Sequence, residues 1–150
     1  MKLVEIISKE TIDLSLDADD KEECIEKMVE KMVKSGAVKN KDTYLQAVLE
    51  REEKGSTGVG FGVAIPHGKS EGVAAPALGF AKLARPIDWH SLDGYPVSIV
   101  FLIAVPEEQA GNEHLQILAA IARKLMHEEF RNQLKEAKSP EEVIQVLETI

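Results

Sequence analysis

Ile12, Leu14 and Leu16 alternate with Asp13 and Ser15, which is the period of a half-buried strand, and a shorter extended segment is expected before it over residues 3–7. Apolar residues then recur at helical spacing through Ile25, Met28, Val29, Met32 and Val33. Asp20 with Glu23 supplies a capping-box start for this helix and Gly36 its stop. A second helix begins at Asn40, with Tyr44, Ala47 and Val48 on its apolar face. Arg51 follows these by seven, four and three residues, so its side chain is expected to leave on the inward side before Gly55 ends the helix. Next come Gly58, Gly60 and Gly62 and a short apolar strand that ends at Pro66, which leaves His67 in a loop just beyond it.

Residues 77–83 read as another strand. Residues 97–105 read as a central strand, apolar on both faces, as in a sheet covered by helices on each side, and Pro106 closes it. Asn112 is the expected cap of a third long helix with Leu115, Leu118, Ile121, Ala122 and Leu125 facing inward. A helix near residues 128–137 follows. Ser139, Pro140 and Glu142 then start a last helix whose apolar face is Val143, Ile144, Leu147 and Ile150. The order predicts an α/β fold: a single-domain sandwich over residues 1–150 in which a mixed parallel and antiparallel sheet is flanked by helices on both sides.

Composition agrees with one ordinary core. The chain has 150 residues, 44% of them apolar and 29% charged. No apolar run approaches the roughly 20 residues of a membrane-spanning helix, and Glu5, Lys9 and Glu10 interrupt any export signal, so no membrane insertion and a cytoplasmic location are expected. A net charge of -8 argues against nucleic acid as a partner. The single Cys24 lies on the apolar stripe of the first helix and reads as a small hydrophobe rather than a nucleophile.

Short nucleotide motifs fail on spacing. Gly68, Lys69 and Ser70 resemble the end of a phosphate loop, but Val63 stands where its first glycine belongs, and Val63 also occupies the third glycine position of a dinucleotide fingerprint. The glycines are therefore read as shaping a protein partner's approach to the imidazole. His127 and Glu128 are followed by Arg131, not a second histidine, so the zinc-protease helix motif is absent. A metal site built from His67, His90 and His114 remains a third reading, which metal analysis of the purified protein tests.

What remains is His67 after a strand, an inward Arg51 at a helix end, and His114 at a helix start. Each also has a structural reading: Arg51 as a complement to the helix dipole, and His114 as a cap or packing residue. Taken together they suit phosphoryl transfer. A neutral imidazole is a good nucleophile near neutral pH and a good leaving group from its phosphorylated form. Arg51 can hold two phosphate oxygens in its planar fork, and the N–H groups after Asn112 form an anion site, with His114 there as a neutral donor. Ser56 and Thr57 are further candidates for phosphate contact, although turn hydroxyls more often bond to nearby backbone.

LEREEKGSTGVGFGVAIPHGK, residues 49–69, and FLIAVPEEQAGNEHLQILAAIA, residues 101–122, resemble the two conserved blocks of enzyme IIA domains of the fructose/mannitol (type 2) class of the sugar phosphotransferase system (PTS). The resemblance covers nearly the whole chain. It implies that His67 takes phosphate through its outer ring nitrogen from the phosphohistidine of the small carrier HPr and passes it to a cysteine of a IIB domain. The sugar is phosphorylated during uptake through a IIC membrane domain, an indirect partner. Arg51 and His114 match family positions lining the phosphohistidine site, and no cofactor is implied. GNEHLQ leans toward fructose. The alternative within the resemblance is a nitrogen-type regulatory IIA protein that acts by binding partners according to its phosphorylation state.

Overall fold

The computed structural model describes residues 2–108 and 113–150, with the side chains of Glu113 and His114 outside the description. After a short 3-10 turn at Leu3–Glu5 come β1 (Ile7–Leu16), α1 (Lys21–Ser35), α2 (Lys41–Lys54), β2 (Gly58–Gly60), β3 (Val63–Ala64) and β4 (His67–Ser70). The chain continues with β5 (Ala77–Ile87), β6 (Val97–Pro106), α3 (Glu113–Leu125), α4 (Glu128–Glu136) and α5 (Pro140–Leu147). A six-stranded sheet runs β1-β5-β6-β3-β2, and β4 pairs with β6 beyond β3. β5 is antiparallel to β6, while β1 on β5 and β3 and β4 on β6 are parallel, so the sheet is mixed as expected.

The helix starts follow local chemistry. Asp20 accepts from Glu23 N–H at 2.8 Å and Asn40 from Thr43 N–H at 3.1 Å. Ser139 accepts from Glu142 N–H at 3.2 Å, with Pro140 in the first turn. In both capping boxes the acid reaches one residue further back than the standard pattern: Glu23 accepts from Asp19 N–H at 2.6 Å, and Glu142 accepts from Lys138 N–H. Gly36 ends α1 in the left-handed region at φ 88°.

Two apolar clusters fill the two faces of the sheet. On one side α1 and α2 bring Cys24, Ile25, Met28, Met32, Tyr44 and Val48 against Val100, Leu102 and Ala104. On the other, Ile117, Ile121, Leu125, Leu134, Val143 and Leu147 cover Ile99, Phe101, Ile103 and Val105. The alternation of β6 between the clusters is the two-residue period of a strand buried on both faces. Burial pushes the Cys24 thiol up to about 12, with Asp13 adding to the shift, so it is an inert core residue.

Three expectations need correction. The first extended segment is the 3-10 turn followed by a single ten-residue strand. On α3 the buried stripe is Ile117, Ile121 and Leu125 with Leu118 half-buried, whereas Leu115 and Ala122 are exposed; two apolar stripes overlap in this sequence and tertiary contact selects one. The Asn112 cap lies outside the described residues. His67 is not in a loop but is the first residue of β4, a strand that its polar, glycine-containing sequence does not announce.

The glycines also have structural duties. Gly58 and Gly60 belong to β2, and the turn to β3 has positive φ at both Phe61 (60°) and Gly62 (77°), the pattern of a tight primed hairpin turn. Phe61 is held there by its N–H on Asp93 Oδ2 at 3.1 Å and by its ring, 4.2 Å from the Arg131 guanidinium carbon.

Candidate functional site

β3 and β4 are two pieces of one strand. Val63 pairs with Ile99 and Ala64 with Val100, then His67 with Ile103 and Gly68 with Ala104, so the register on β6 is unchanged across the gap. The gap is Ile65 and Pro66. Proline has no N–H to donate, but its carbonyl accepts from Ile103 N–H at 3.0 Å and keeps the two pieces in line.

α2 closes over β4 because two glycines let the backbones meet. A Cβ on Gly72 would lie 2.6 Å from Asn40 O, and one on Gly68 would lie 2.9 Å from Val48 Cγ2. The strand therefore runs back along the helix, from the level of Asn40 at Gly72 to that of Val48 at Gly68. Continued by one residue, this brings His67 level with the last turn of α2, which carries Arg51 and Glu52. Tyr44 on the same helix face donates from its hydroxyl to Ile103 O at 2.7 Å, opposite His67. Burial raises the Tyr44 phenol well above its usual range. Since Gly68 faces α2, strand alternation directs the His67 side chain to the opposite face, the one covered by α3.

The His67 ring is half-buried, and its Nδ1 lies 3.0 Å from Ile65 O. A carbonyl oxygen only accepts, so this contact requires a proton on Nδ1. In the neutral ring the lone pair is then on Nε2, the outer nitrogen. The short backbone excursion at the strand gap thus decides which ring nitrogen carries the proton.

Arg51 is half-buried and donates from Nη1 to Gly55 O at 2.7 Å, which uses one of the five N–H donors of its guanidinium. That bond fits the reading of Arg51 as a complement to the helix end. The fully inward position is the next residue: Tyr44, Val48 and Glu52 recur every four residues and are all buried. Glu52, 6% exposed, accepts from Lys21 Nζ at 3.4 Å, Thr57 N–H at 3.4 Å, the Thr57 hydroxyl, and Trp89 Nε1 at 3.3 Å. Sequence reasoning passed over this residue, although an acid on the apolar stripe of a helix was the signal.

Ser56 donates to Trp89 O at 2.5 Å and accepts from Gly58 N–H at 3.0 Å. Thr57 Oγ1 also accepts from Trp89 Nε1 at 3.2 Å. Both hydroxyls thus have protein partners, the commoner behaviour of turn hydroxyls. His114 is in the first turn of α3, and its side chain lies outside the described residues. His90 is at positive φ, 57°, on an exposed loop, 3.5 Å from Asp88. Among the described residues no cluster of three or more His, Cys, Asp or Glu side chains is placed to hold a metal ion, and no helix is long and apolar enough to cross a membrane.

Comparison with known proteins gives this geometry a family. The sequence profile described as "Phosphoenolpyruvate-dependent sugar phosphotransferase system, EIIA 2" matches residues 5–150. The chain is 41% identical over 147 residues to the "PTS system fructose-specific EIIABC component" of Bacillus subtilis strain 168, covering 98% of this chain but only 23% of that protein. It is 45% identical over 127 residues to the "PTS system fructose-specific EIIA component" of Haloferax volcanii, covering 85% of this chain and 82% of the relative. Among solved structures, nitrogen regulatory protein IIA-Ntr from Neisseria meningitidis superposes with a TM-score of 0.84 at 31% identity, covering 96% of this chain and 97% of that one. Enzyme IIAMTL of the Escherichia coli complex with phosphorylated enzyme IIBMTL gives 0.81 at 27% identity, covering 97% and 100%. The fold, the relatives and the profile match converge: this chain belongs to the EIIA type 2 family of the phosphoenolpyruvate-dependent sugar phosphotransferase system.

Proposed function

We propose that the chain carries a phosphoryl group on His67 Nε2, taking it from the phosphohistidine of an HPr-type protein and giving it to the cysteine of a IIB partner, in the cytoplasmic chemistry of sugar uptake. The observation that carries the proposal is the contact of His67 Nδ1 with Ile65 O at 3.0 Å, which requires the tautomer with its lone pair outward. In the transfer the Nε2 lone pair forms the new N–P bond while the donor's N–P bond breaks and its electron pair returns to the donor imidazole. Positive charge grows on the His67 ring as the bond forms. The Nδ1–H to Ile65 O hydrogen bond then becomes charge-assisted, so it is stronger in the transition state than before it. Transfer to a thiolate reverses these events and restores the same tautomer.

Negative charge is spread over the oxygens of the group in flight. Arg51 is proposed to receive part of it from the end of α2, and His114, with the N–H groups at the start of α3, from the other side. Ser56 and Thr57 are the weaker candidates, since each hydroxyl must give up a protein partner to reach a phosphate. A fructose system is the reading favoured by the two fructose-specific relatives. IIB as acceptor is supported by the related IIA in complex with a phosphorylated IIB, and the fused EIIABC relative points to a IIC membrane domain as the indirect partner.

Incubation with enzyme I, HPr and phosphoenolpyruvate is expected to give an acid-labile, base-stable phosphoprotein. Equal labelling of His67→Ala overturns the assignment. A second reading, a regulator acting through phosphorylation-dependent partner binding, is favoured by the likeness to IIA-Ntr. Onward transfer separates the two: phosphate passing to a cognate IIB cysteine supports the carrier, and a labelled chain that never passes it on supports the regulator.

A further inference from the structure

In a regular antiparallel ladder, residues opposite one another in a hydrogen-bonded pair exchange two bonds, each N–H to the other's carbonyl. Gly58 pairs with Ala64, so the next pair along is Thr57 with Ile65. One of its bonds is made: Ile65 N–H donates to Thr57 O at 2.9 Å. The other is replaced at both ends. Thr57 N–H goes to Glu52 Oε2 at 3.4 Å, and Ile65 O accepts the His67 ring at 3.0 Å.

We infer that Glu52 is a positioning residue for His67: by drawing the Thr57 N–H out of the ladder, its buried carboxylate leaves the Ile65 carbonyl to hold the Nδ1–H tautomer of the ring. The path runs from Glu52 through Thr57 and Ile65 to His67, and it rests on the phosphocarrier reading only for its effect on transfer. Glu52 suits the task because it is fixed from three other directions, by Lys21 Nζ, the Thr57 hydroxyl and Trp89 Nε1. The fully buried Trp89 also takes the Ser56 hydroxyl on its carbonyl, so the turn after α2 cannot shift without disturbing the core. Without the carboxylate, the nearest partner for Thr57 N–H is the carbonyl it faces in the ladder, Ile65 O, where it competes with the ring.

Removing Glu52 alone strands the Lys21 charge, so the informative variant replaces both members of the pair with apolar residues of similar size. In Lys21→Met/Glu52→Met, ring-nitrogen NMR of His67 at a pH where the imidazole is neutral is expected to show loss of the predominant Nδ1–H form in favour of a mixture with Nε2–H. The initial rate of phosphorylation by HPr is expected to fall by about 10-fold to 100-fold, by analogy with the loss when the hydrogen-bond partner that fixes a metal-ligating histidine's tautomer is removed. Lys21→Met alone leaves the Glu52 acceptor in place and should keep the wild-type ring signals.

The inference is overturned if the double variant, shown to be folded by its Trp89 fluorescence and amide spectrum, keeps the wild-type tautomer, or if Lys21→Met alone shifts it equally. Should the double variant not fold, Lys21→Met/Glu52→Leu, which likewise removes both charges and the acceptor but with a different apolar shape, is the second probe. A reduced Nδ1–H population supports the inference, and unchanged ring signals in that folded variant overturn it. The tautomer readout needs no phosphoryl donor, so a wild-type chain that is never labelled by HPr defeats the function reading while leaving this test standing.

Discussion

The two flanks of β6 obey opposite rules. Toward β5, an antiparallel ladder holds Ala77 to Lys82 in unbroken register, with Ala77, Leu78, Phe80 and Ala81 buried in the two apolar clusters. Toward the other edge, β3 and β4 contribute two and four residues and stop at Ile65 and Pro66. On the regular flank Ala77 to Lys82 pair one for one with Ala104 to Ile99, and the ladder has no gap. The broken flank leaves a carbonyl for His67 and an N–H for Glu52 while keeping its register. A sheet can thus hold a ring in one tautomer where its ladder is incomplete, provided a neighbouring ladder supplies the rigidity.

The strongest attempt to break this contrast is at the ring itself. His67→Ala should lose all acid-labile label from phospho-HPr, while the regular flank keeps its fold and its amide spectrum. Arg51→Ala comes next, with transfer slowed by about 100-fold or more if its fork receives transition-state charge in a water-poor site. Unchanged single-turnover kinetics would leave Arg51 only its bond to Gly55 O.

Glycines on the two flanks sharpen the comparison. A Cβ at Gly68 meets Val48 Cγ2 at 2.9 Å and the Val48 backbone N at 3.2 Å, so Gly68→Ala must push β4 off α2. The expected cost is about 1–3 kcal/mol in urea unfolding, with slower phosphorylation as His67 moves. At Gly79 in β5 the nearest atom is Met32 Cε at 3.2 Å, the end of a flexible side chain, so Gly79→Ala should change stability by less than about 1 kcal/mol. Equal costs at the two sites would mean that β4 is not pressed on its helix.

The smallest effect is alkaline. Burial raises both the Cys24 thiol, to about 12 from 9.0, and the Tyr44 phenol. The native state therefore holds protons that the unfolded chain releases, and stability should decline as pH rises from about 9 toward 12. Urea midpoints across that range check the sign. Below pH 9 a disulfide reagent should label Cys24 only after unfolding.

Legibility followed the range of the interaction. The caps at Asp20, Asn40 and Ser139, the stop at Gly36 and the central strand β6 could be read from the sequence, because each rests on residues within a turn of one another or on a simple period. α3 could be located but its face could not, since two stripes of similar apolarity compete and only packing against Phe101 and Ile103 selects Ile117, Ile121 and Leu125. β4 was missed because His67, Gly68, Lys69 and Ser70 have no strand pattern of their own; pairing with β6 and the glycine contacts with α2 make them one.

His67 stood out from sequence alone as the candidate acceptor, because residue type and its place after a strand narrow the chemistry that is available. The nitrogen proposed to react was another matter: the sequence carried it only through family likeness. The cause inferred for it links Glu52, Thr57, Ile65 and His67 through backbone groups that every residue possesses. No pattern of side chains marks such groups as diverted from a ladder. Only the tertiary structure, by bringing a buried carboxylate to one N–H and a ring to the opposing carbonyl, decides which hydrogen bonds are exchanged.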